Sequence, residues 1–268
     1  MDKNILMVAV RAAIEAGAKI MSVYTDPNAD FEIEKKADNS PLTIADRKAH
    51  EVISGILSST NIPVLSEEGK KLPFDARKEW NELWIVDPLD GTKEFIKKNG
   101  EFTVNIAYVK SGTPQAGVIY IPVKEELYIG DCEHGAFKMA DIKSISQNET
   151  FDSLISKASR LPLNEKRDSF VVVASRSHLS PETEEFIEQI RTTHPELETV
   201  SKGSSLKLCL IAEGKADIYP RFAPTMEWDT AAGHAIIRAA GKEVYHTDGE
   251  TPLSYNKEDL LNPWFIAK

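Results

Sequence analysis

The chain has 268 residues, 41% of them hydrophobic, enough for one large domain or two packed subdomains around a sizeable core. Its 42 acidic residues against 32 basic ones give a net charge of -10, which argues against a surface for duplex nucleic acid and against a polybasic membrane contact. An anionic substrate would need local help, such as metal ions set among clustered carboxylates. Cys132 and Cys209 lie far apart without metal-ligand spacing and read as reduced thiols of a cytoplasmic protein.

From Lys3 to Tyr24 the apolar positions Ile5, Val8, Ala9, Ala12, Ala13, Ala16, Ile20 and Val23 recur at helical spacing, which predicts an amphipathic helix on a core. Arg11, Glu15 and Lys19 interrupt this segment, so it offers no continuous apolar run for secretion or membrane spanning. Asp26-Pro27-Asn28 stops the helix, and Phe31 to Lys36 alternates like a short strand. A second helix opens at Thr43-Ile44-Ala45-Asp46, locally a capping box with Thr43 at the N-cap and Asp46 at N3. Ile62 to Gly69 reads as a short strand running into a turn, with Glu67 and Glu68 as exposed acids on local grounds.

Trp84-Ile85-Val86 reads as a buried strand that ends in Asp87-Pro88-Leu89-Asp90-Gly91-Thr92. Pro88 fixes its own φ and pushes Asp87 toward an extended conformation, so the two carboxylates project from a rigid corner. Gly91 lets the backbone approach a ligand, and the amides after it face outward as a helix N-terminus suited to phosphate. The same stretch also reads as a strand, a tight turn and a helix capped by Asp90 or Thr92, the commoner use of an isolated D-x-x-D.

Phe102, Val104, Ile106 and Tyr108 alternate, as do Ala116, Val118 and Tyr120, with Lys110 to Thr113 as the turn between them. Glu126 to Gly130 and Ala136 to Met139 add two short strands, which completes an α+β half over residues 1–143. Residues 144–167 are polar without clear periodicity. The half over residues 144–268 is α/β: strands at Phe170–Ala174, Glu198–Ser201, Ala216–Tyr219, Glu243–Tyr245 and Trp264–Ala267, and helices from Ser180-Pro181, from Ser204 to Glu213 and from Thr230 to Ala240. Asp229 reads as the N-cap of the last helix. Ser175-Arg176-Ser177-His178 and Lys202-Gly203-Ser204-Ser205-Leu206-Lys207 follow strands, where an α/β sheet presents ligand contacts, although each also reads as an ordinary capped or basic turn.

Asp87-Pro88-Leu89-Asp90-Gly91-Thr92 and Trp228-Asp229-Thr230-Ala231-Ala232-Gly233 resemble the signatures of the lithium-sensitive, magnesium-dependent phosphomonoesterases typified by inositol monophosphatase. Pro41-Leu42-Thr43-Ile44-Ala45-Asp46 is similar to a third string of that family, and Lys93-Glu94-Phe95 looks like its 3′(2′),5′-bisphosphate nucleotidase branch. The resemblance covers essentially the whole chain. It implies a layered α-β-α-β-α sandwich with the active site between the α+β and α/β halves. It further implies that Glu67, Asp87, Asp90, Asp229 and the Leu89 carbonyl hold two or more Mg2+ ions, an all-oxygen set that this ion prefers.

By the same resemblance Asp46, through Thr92, activates a water, and the Gly91 and Thr92 amides hold phosphoryl oxygens. Ser175, His178, Gly203, Ser204, Ser205 and Lys207 would line a nucleotide pocket, with a serine and the lysine reaching a second phosphate. Arg221 is a further candidate for that phosphate or the base, and Glu67, Leu89, Asp90 and Asp229 would also touch substrate. Inositol monophosphatase usually carries an asparagine where this chain has Lys93-Glu94, and its inositol contacts find no close match here. The implied reaction is therefore hydrolysis of adenosine 3′,5′-bisphosphate to AMP and phosphate, and of 3′-phosphoadenylyl sulfate, with magnesium dependence and lithium inhibition. Such an enzyme would clear a by-product of sulfate assimilation and sulfotransfer. An inositol or sugar monophosphatase and a catalytically silent nucleotide-binding module are the rival readings. Oligomeric state and peripheral association with the inner face of the cell membrane stay open.

Overall fold

A computed structural model describes residues 1–35, 41–163, 165–175 and 180–268, without the side chains of Lys35 and Ser175. Helix α1 (Lys3–Tyr24) starts where the Asp2 carboxylate accepts the Asn4 amide, at 2.7 Å, and buries one stripe from Leu6 to Val23. Strands β1 (Glu34–Lys35) and β2 (Pro41–Leu42) pair antiparallel. The strand expected from Phe31 shortens to β1 because Glu32 takes a left-handed φ of 47°, which breaks the extended run; Lys36 lies outside the described residues. Helix α2 (Ile44–Leu57) opens on the expected capping box and packs against α1.

Next come β3 (Val64–Ser66), α3 (Phe74–Arg77), β4 (Glu82–Asp90), α4 (Thr92–Ile96), β5 (Thr103–Lys110), β6 (Thr113–Ile121), β7 (Glu126–Asp131), β8 (Gly135–Met139), α5 (Phe151–Ile155) and β9 (Ser159–Leu161). The strands form one seven-stranded sheet in sequence order, β3-β4-β5-β6-β7-β8-β9, antiparallel except for the β3–β4 pair. The sheet therefore runs past the expected limit at residue 143: α5 packs Phe151 and Leu154 into the first core, and β9 pairs with β8. Three-residue β9 and five-residue α5 are too short to display a period, which is why that stretch reads as irregular.

The remainder holds β10 (Val171–Ser175), α6 (Pro181–Thr193), β11 (Glu198–Lys202), α7 (Leu206–Glu213), β12 (Tyr219–Arg221), α8 (Glu227–Ala239), β13 (Val244–His246) and β14 (Phe265–Ala267). Strands β10 and β11 pair in parallel, β12-β14-β13 is antiparallel, and a parallel bridge from Val172 to Ile218 joins the two groups. The order of layers is α1 with α2, the seven-stranded sheet, α7 with α8, the smaller sheets, then α6. This is the α-β-α-β-α sandwich that the family resemblance implies.

Both faces of the large sheet are covered, so β4 is apolar at successive positions: Trp84 and Val86 join the core under α1 and α2, Leu83 and Ile85 the core under α7 and α8. Helix α8 lies with its backbone against the sheet. A Cβ at Gly117 would sit 2.3 Å from the Ala232 carbonyl oxygen, and one at Gly130 would sit 2.4 Å from Ile236 Cα. Those two glycines let α8 lie close on β6 and β7.

Candidate active site

The site forms where β4 ends. Asp87 lies opposite Asn105 of β5, the register then shifts at Pro88, which has no amide proton for the ladder, and Asp90 lies opposite Thr103. The Leu89 amide donates to Asp87 Oδ1 at 3.0 Å and fixes that carboxylate in the bend. Gly91 then takes φ 92°, and a Cβ there would meet the Glu101 carbonyl oxygen at 2.9 Å, so this corner accepts only glycine. From the other half α8 brings Asp229, which is N3 of the helix rather than the expected N-cap: Met226 holds the cap position, and its amide donates to Asp229 Oδ2 at 2.8 Å.

Asp87, Asp90 and Asp229 each offer a carboxylate oxygen within 4.8 Å of the others. Glu67 follows β3, donates its amide to the Val86 carbonyl at 3.1 Å and hydrogen-bonds Asp87 through its side chain. Residues distant in the chain thus bring four acids together. Burial, then the charges of Glu67, Asp90 and Asp229, hold the Asp87 carboxyl well above its usual range. Burial, then Asp90 and Glu67, push Asp229 up to about 8. Buried carboxyls this close together suit a hard divalent cation, and the residues fit that group. A second acidic group, Asp131, Glu133 and His134, has a cation at hand: the Met1 amino group stands 3.0 Å from Glu133.

Asp46 and Thr92 come together beside the cluster. Thr92 Oγ1 lies 3.1 Å from Asp46 Oδ1 and 3.3 Å from the Leu89 carbonyl oxygen. Asp46 Oδ2 accepts the Thr43 amide at 2.7 Å and the Thr43 hydroxyl at 2.5 Å, so one carboxylate caps α2 and faces the site at once. Burial raises its pKa against the opposing hydrogen bonds of Thr43 and Thr92.

The opposite wall of the cleft, about 260 Å³ in volume, comes from the second half and includes Gly203, Ser204, Ser205, Lys207, Tyr219 and Arg221. Lys207 is buried, and its Nζ donates to the Ser204 carbonyl at 2.6 Å and stands 5.6 Å from the centre of the Tyr219 ring. Burial brings this ammonium down to about 8. Arg221 donates to the Pro224 carbonyl at 2.9 Å, and its buried Nε has no hydrogen-bond partner among the described residues. Ser204 and Ser205 line the cleft, and each donates its hydroxyl to Asp90 Oδ2, at 2.7 and 2.8 Å. Ser175 ends β10 opposite Lys202, so both loops leave the same end of a parallel pair; His178 lies outside the described residues.

Sequence reasoning passes over Thr103, Asn105 and Glu101. Glu101 accepts the Gly203 amide at 2.8 Å, and Asn105 donates toward Asp90 and Ser205. Thr103 and Asn105 alternate with apolar residues at the start of their strand, the pattern of outward-facing positions, so alternation alone does not point them at the aspartates.

A five-layered sandwich with four converging carboxylates in the cleft between its halves defines a class of protein built to hold divalent cations beside a small anionic ligand. The profile of the inositol monophosphatase family matches residues 1–266, and the chain belongs to that family. Among its relatives, the 3′(2′),5′-bisphosphate nucleotidase CysQ of Salmonella typhimurium is 44% identical over 94% of this chain and 95% of its own. The crystal structure of CysQ from Bacteroides thetaiotaomicron, a bacterial member of the same family, superposes with a TM-score of 0.94 at 59% identity, covering 100% of this chain and 98% of that one. The extragenic suppressor protein suhB of Bartonella henselae matches with a TM-score of 0.74 at 26% identity, over 98% of this chain and 93% of its own. Among the described residues no helix is long and apolar enough to cross a membrane.

Proposed function

We propose that this chain is a 3′(2′),5′-bisphosphate nucleotidase that cleaves the 3′-phosphate of adenosine 3′,5′-bisphosphate to leave AMP and phosphate, with Mg2+ as the ion its carboxylates hold. The 44% identity to CysQ over nearly the whole chain supports the activity. The observation that carries the mechanism is the convergence of Glu67, Asp87, Asp90 and Asp229 opposite the cations Lys207 and Arg221 in one cleft.

Divalent ions bound by the four acids and the Leu89 carbonyl would neutralise phosphoryl charge and lower the pKa of a water. The protein's own part begins with Thr92, whose hydroxyl orients that water while passing its own hydrogen bond to Asp46. Asp46, with its raised pKa, receives the proton. The Gly91 and Thr92 amides, at the bend after Asp90, hold the phosphoryl oxygens as charge builds on them. Lys207, Arg221 and the Gly203 turn face the remaining phosphate and nucleoside, the pairing of cations with a second anionic group that selects a bisphosphate over the monophosphate of an uncharged polyol.

The test is a phosphate-release panel with Mg2+, with and without lithium. Adenosine 3′,5′-bisphosphate should be the fastest substrate, lithium should inhibit, and a chelator should abolish release. Faster turnover of inositol 1-phosphate would favour the polyol phosphatase reading. Tight AMP binding with no turnover of any ester would favour a silent nucleotide-binding module.

A further inference from the structure

We infer that Asn105 is a positioning residue for the metal cluster, aiming the Asp90 carboxylate together with Ser204 and Ser205. The inference rests on the reading that the four acids hold divalent cations. Asn105 is 1% exposed, sits on β5 directly across from Asp87 and has no ligand role in the scheme above. Its side chain lies at the centre of a network that joins the two halves of the molecule.

Three donors meet at a single oxygen. Asp90 Oδ2 accepts Ser204 Oγ at 2.7 Å, Ser205 Oγ at 2.8 Å and Asn105 Nδ2 at 3.3 Å. Such convergence holds the carboxylate by one oxygen and fixes its direction beside Asp87 and Asp229. The amide orientation of Asn105 follows from its neighbours, because its oxygen faces the Thr103 hydroxyl at 2.9 Å and its nitrogen faces a carboxylate and Ser205 Oγ, the latter at 2.9 Å.

A proton count singles out Asn105. Thr103, Ser204 and Ser205 carry one hydroxyl proton each, and each has a choice of acceptors. Thr103 lies 2.7 Å from Ser204 as well as 2.9 Å from Asn105, and Ser205 lies 3.0 Å from the Asp229 carbonyl as well as 2.8 Å from Asp90. Asn105 has two protons, one for Asp90 and one for Ser205, and by occupying the Ser205 oxygen it leaves the serine proton to Asp90 or the α8 backbone. The same group therefore reaches Asp90 directly and, through Ser205, the carbonyl of Asp229. Asn105→Asp removes both protons without changing shape and sets a carboxylate against a carboxylate.

The experiment titrates Mg2+ into chelator-stripped Asn105→Asp, Asn105→Ala and unmodified protein by calorimetry, alongside melting temperature and the Mg2+ dependence of phosphate release. Outer partners of metal ligands typically set about 10- to 100-fold in affinity, so both variants should bind Mg2+ weaker by that factor. Their turnover should recover in part at high Mg2+. Tyr128→Phe, which removes a buried hydrogen bond to Glu213 elsewhere on the sheet, should lower the melting temperature and leave Mg2+ affinity unchanged. If the Asn105 variants do not fold, Ser205→Ala keeps the amide and should still weaken Mg2+ several-fold. Folded Asn105→Ala, or Ser205→Ala in its place, with the affinity of the unmodified protein would overturn the inference. Unmodified protein that binds Mg2+ but releases no phosphate from adenosine 3′,5′-bisphosphate would overturn the proposed reaction and leave this inference standing.

Discussion

Two acidic centres are buried against the same face of the seven-stranded sheet, and they are built in opposite ways. At Glu213, on α7, the carboxylate meets Lys138 Nζ at 2.7 Å, the Tyr128 hydroxyl at 2.5 Å and Lys215 at 3.1 Å. Burial would raise its pKa, but the bonds from Lys138 and Tyr128 prevail and hold it below the usual value. At Asp87 and Asp229 burial and the charges of neighbouring acids act in the same direction. The first centre is complete in the polypeptide and ties α7 to β7 and β8. In the proposed reading the second is completed by cations from outside, and that difference separates a structural polar cluster from a reactive one.

Removing one acid should affect the two centres oppositely. Asp229→Asn keeps an oxygen for the Met226 amide and, at about pH 8 and above where Asp229 ionises, removes one repelling charge. Phosphate release should fall by about 10³-fold, the scale lost with one element of an electrostatic site, while the melting temperature in chelator should rise. A variant that kept its rate would remove Asp229 from the reaction. Glu213→Ala should instead leave Lys138 and Tyr128 without their shared acceptor. Urea denaturation should show a loss of about 3 kcal/mol, the lower end of the cost of breaking a buried pair, with kcat of the folded protein little changed.

Thr92→Ala leaves the four acids in place and interrupts only the link to Asp46. Its kcat at saturating Mg2+ should drop by about 10²-fold, with Mg2+ affinity preserved, as expected when proton transfer rather than metal holding is lost. Equal losses in rate and Mg2+ affinity would place Thr92 among the ligands instead.

The smallest effect is on pH dependence. In chelator, Asp229 at about 8 and a raised Asp87 bind protons that an unfolded aspartate near 4 would release. Their contribution to stability is therefore fully present below about pH 4 and declines as pH rises to about 8. Glu213, held low, contributes above its unfolded value and is flat across that upper range. The melting temperature without metal should fall between about pH 6 and pH 8, and excess Mg2+ should flatten the slope.

The comparison also explains what the sequence conveys and what it hides. The strings around Asp87 and Asp229 announce themselves because carboxylates are bunched next to proline, glycine and small residues, and their family resemblance supplied Glu67 and Asp46. The α1 stripe, the meander and the Gly214 stop are legible from period and turn chemistry. Two features were not. Asp229 sits at N3 because α8 begins at Glu227, a displacement that local capping preference does not report. Asn105 and Thr103 look like outward residues of an alternating strand, and only burial of both faces of β5 makes them interior donors to Asp90. The Glu213 centre escapes for a similar reason: its partners are 75 and 85 positions away on other strands.

Everything in the functional account depends on cations gathering at the four acids. Crystals soaked in Mn2+, an anomalous scatterer that accepts the oxygen ligands of Mg2+, test this directly. The account predicts strong peaks within bonding distance of Glu67, Asp87, Asp90 and Asp229 oxygens. Mn2+ bound only at Asp131, Glu133 and His134, with no peak among the four acids, would contradict it.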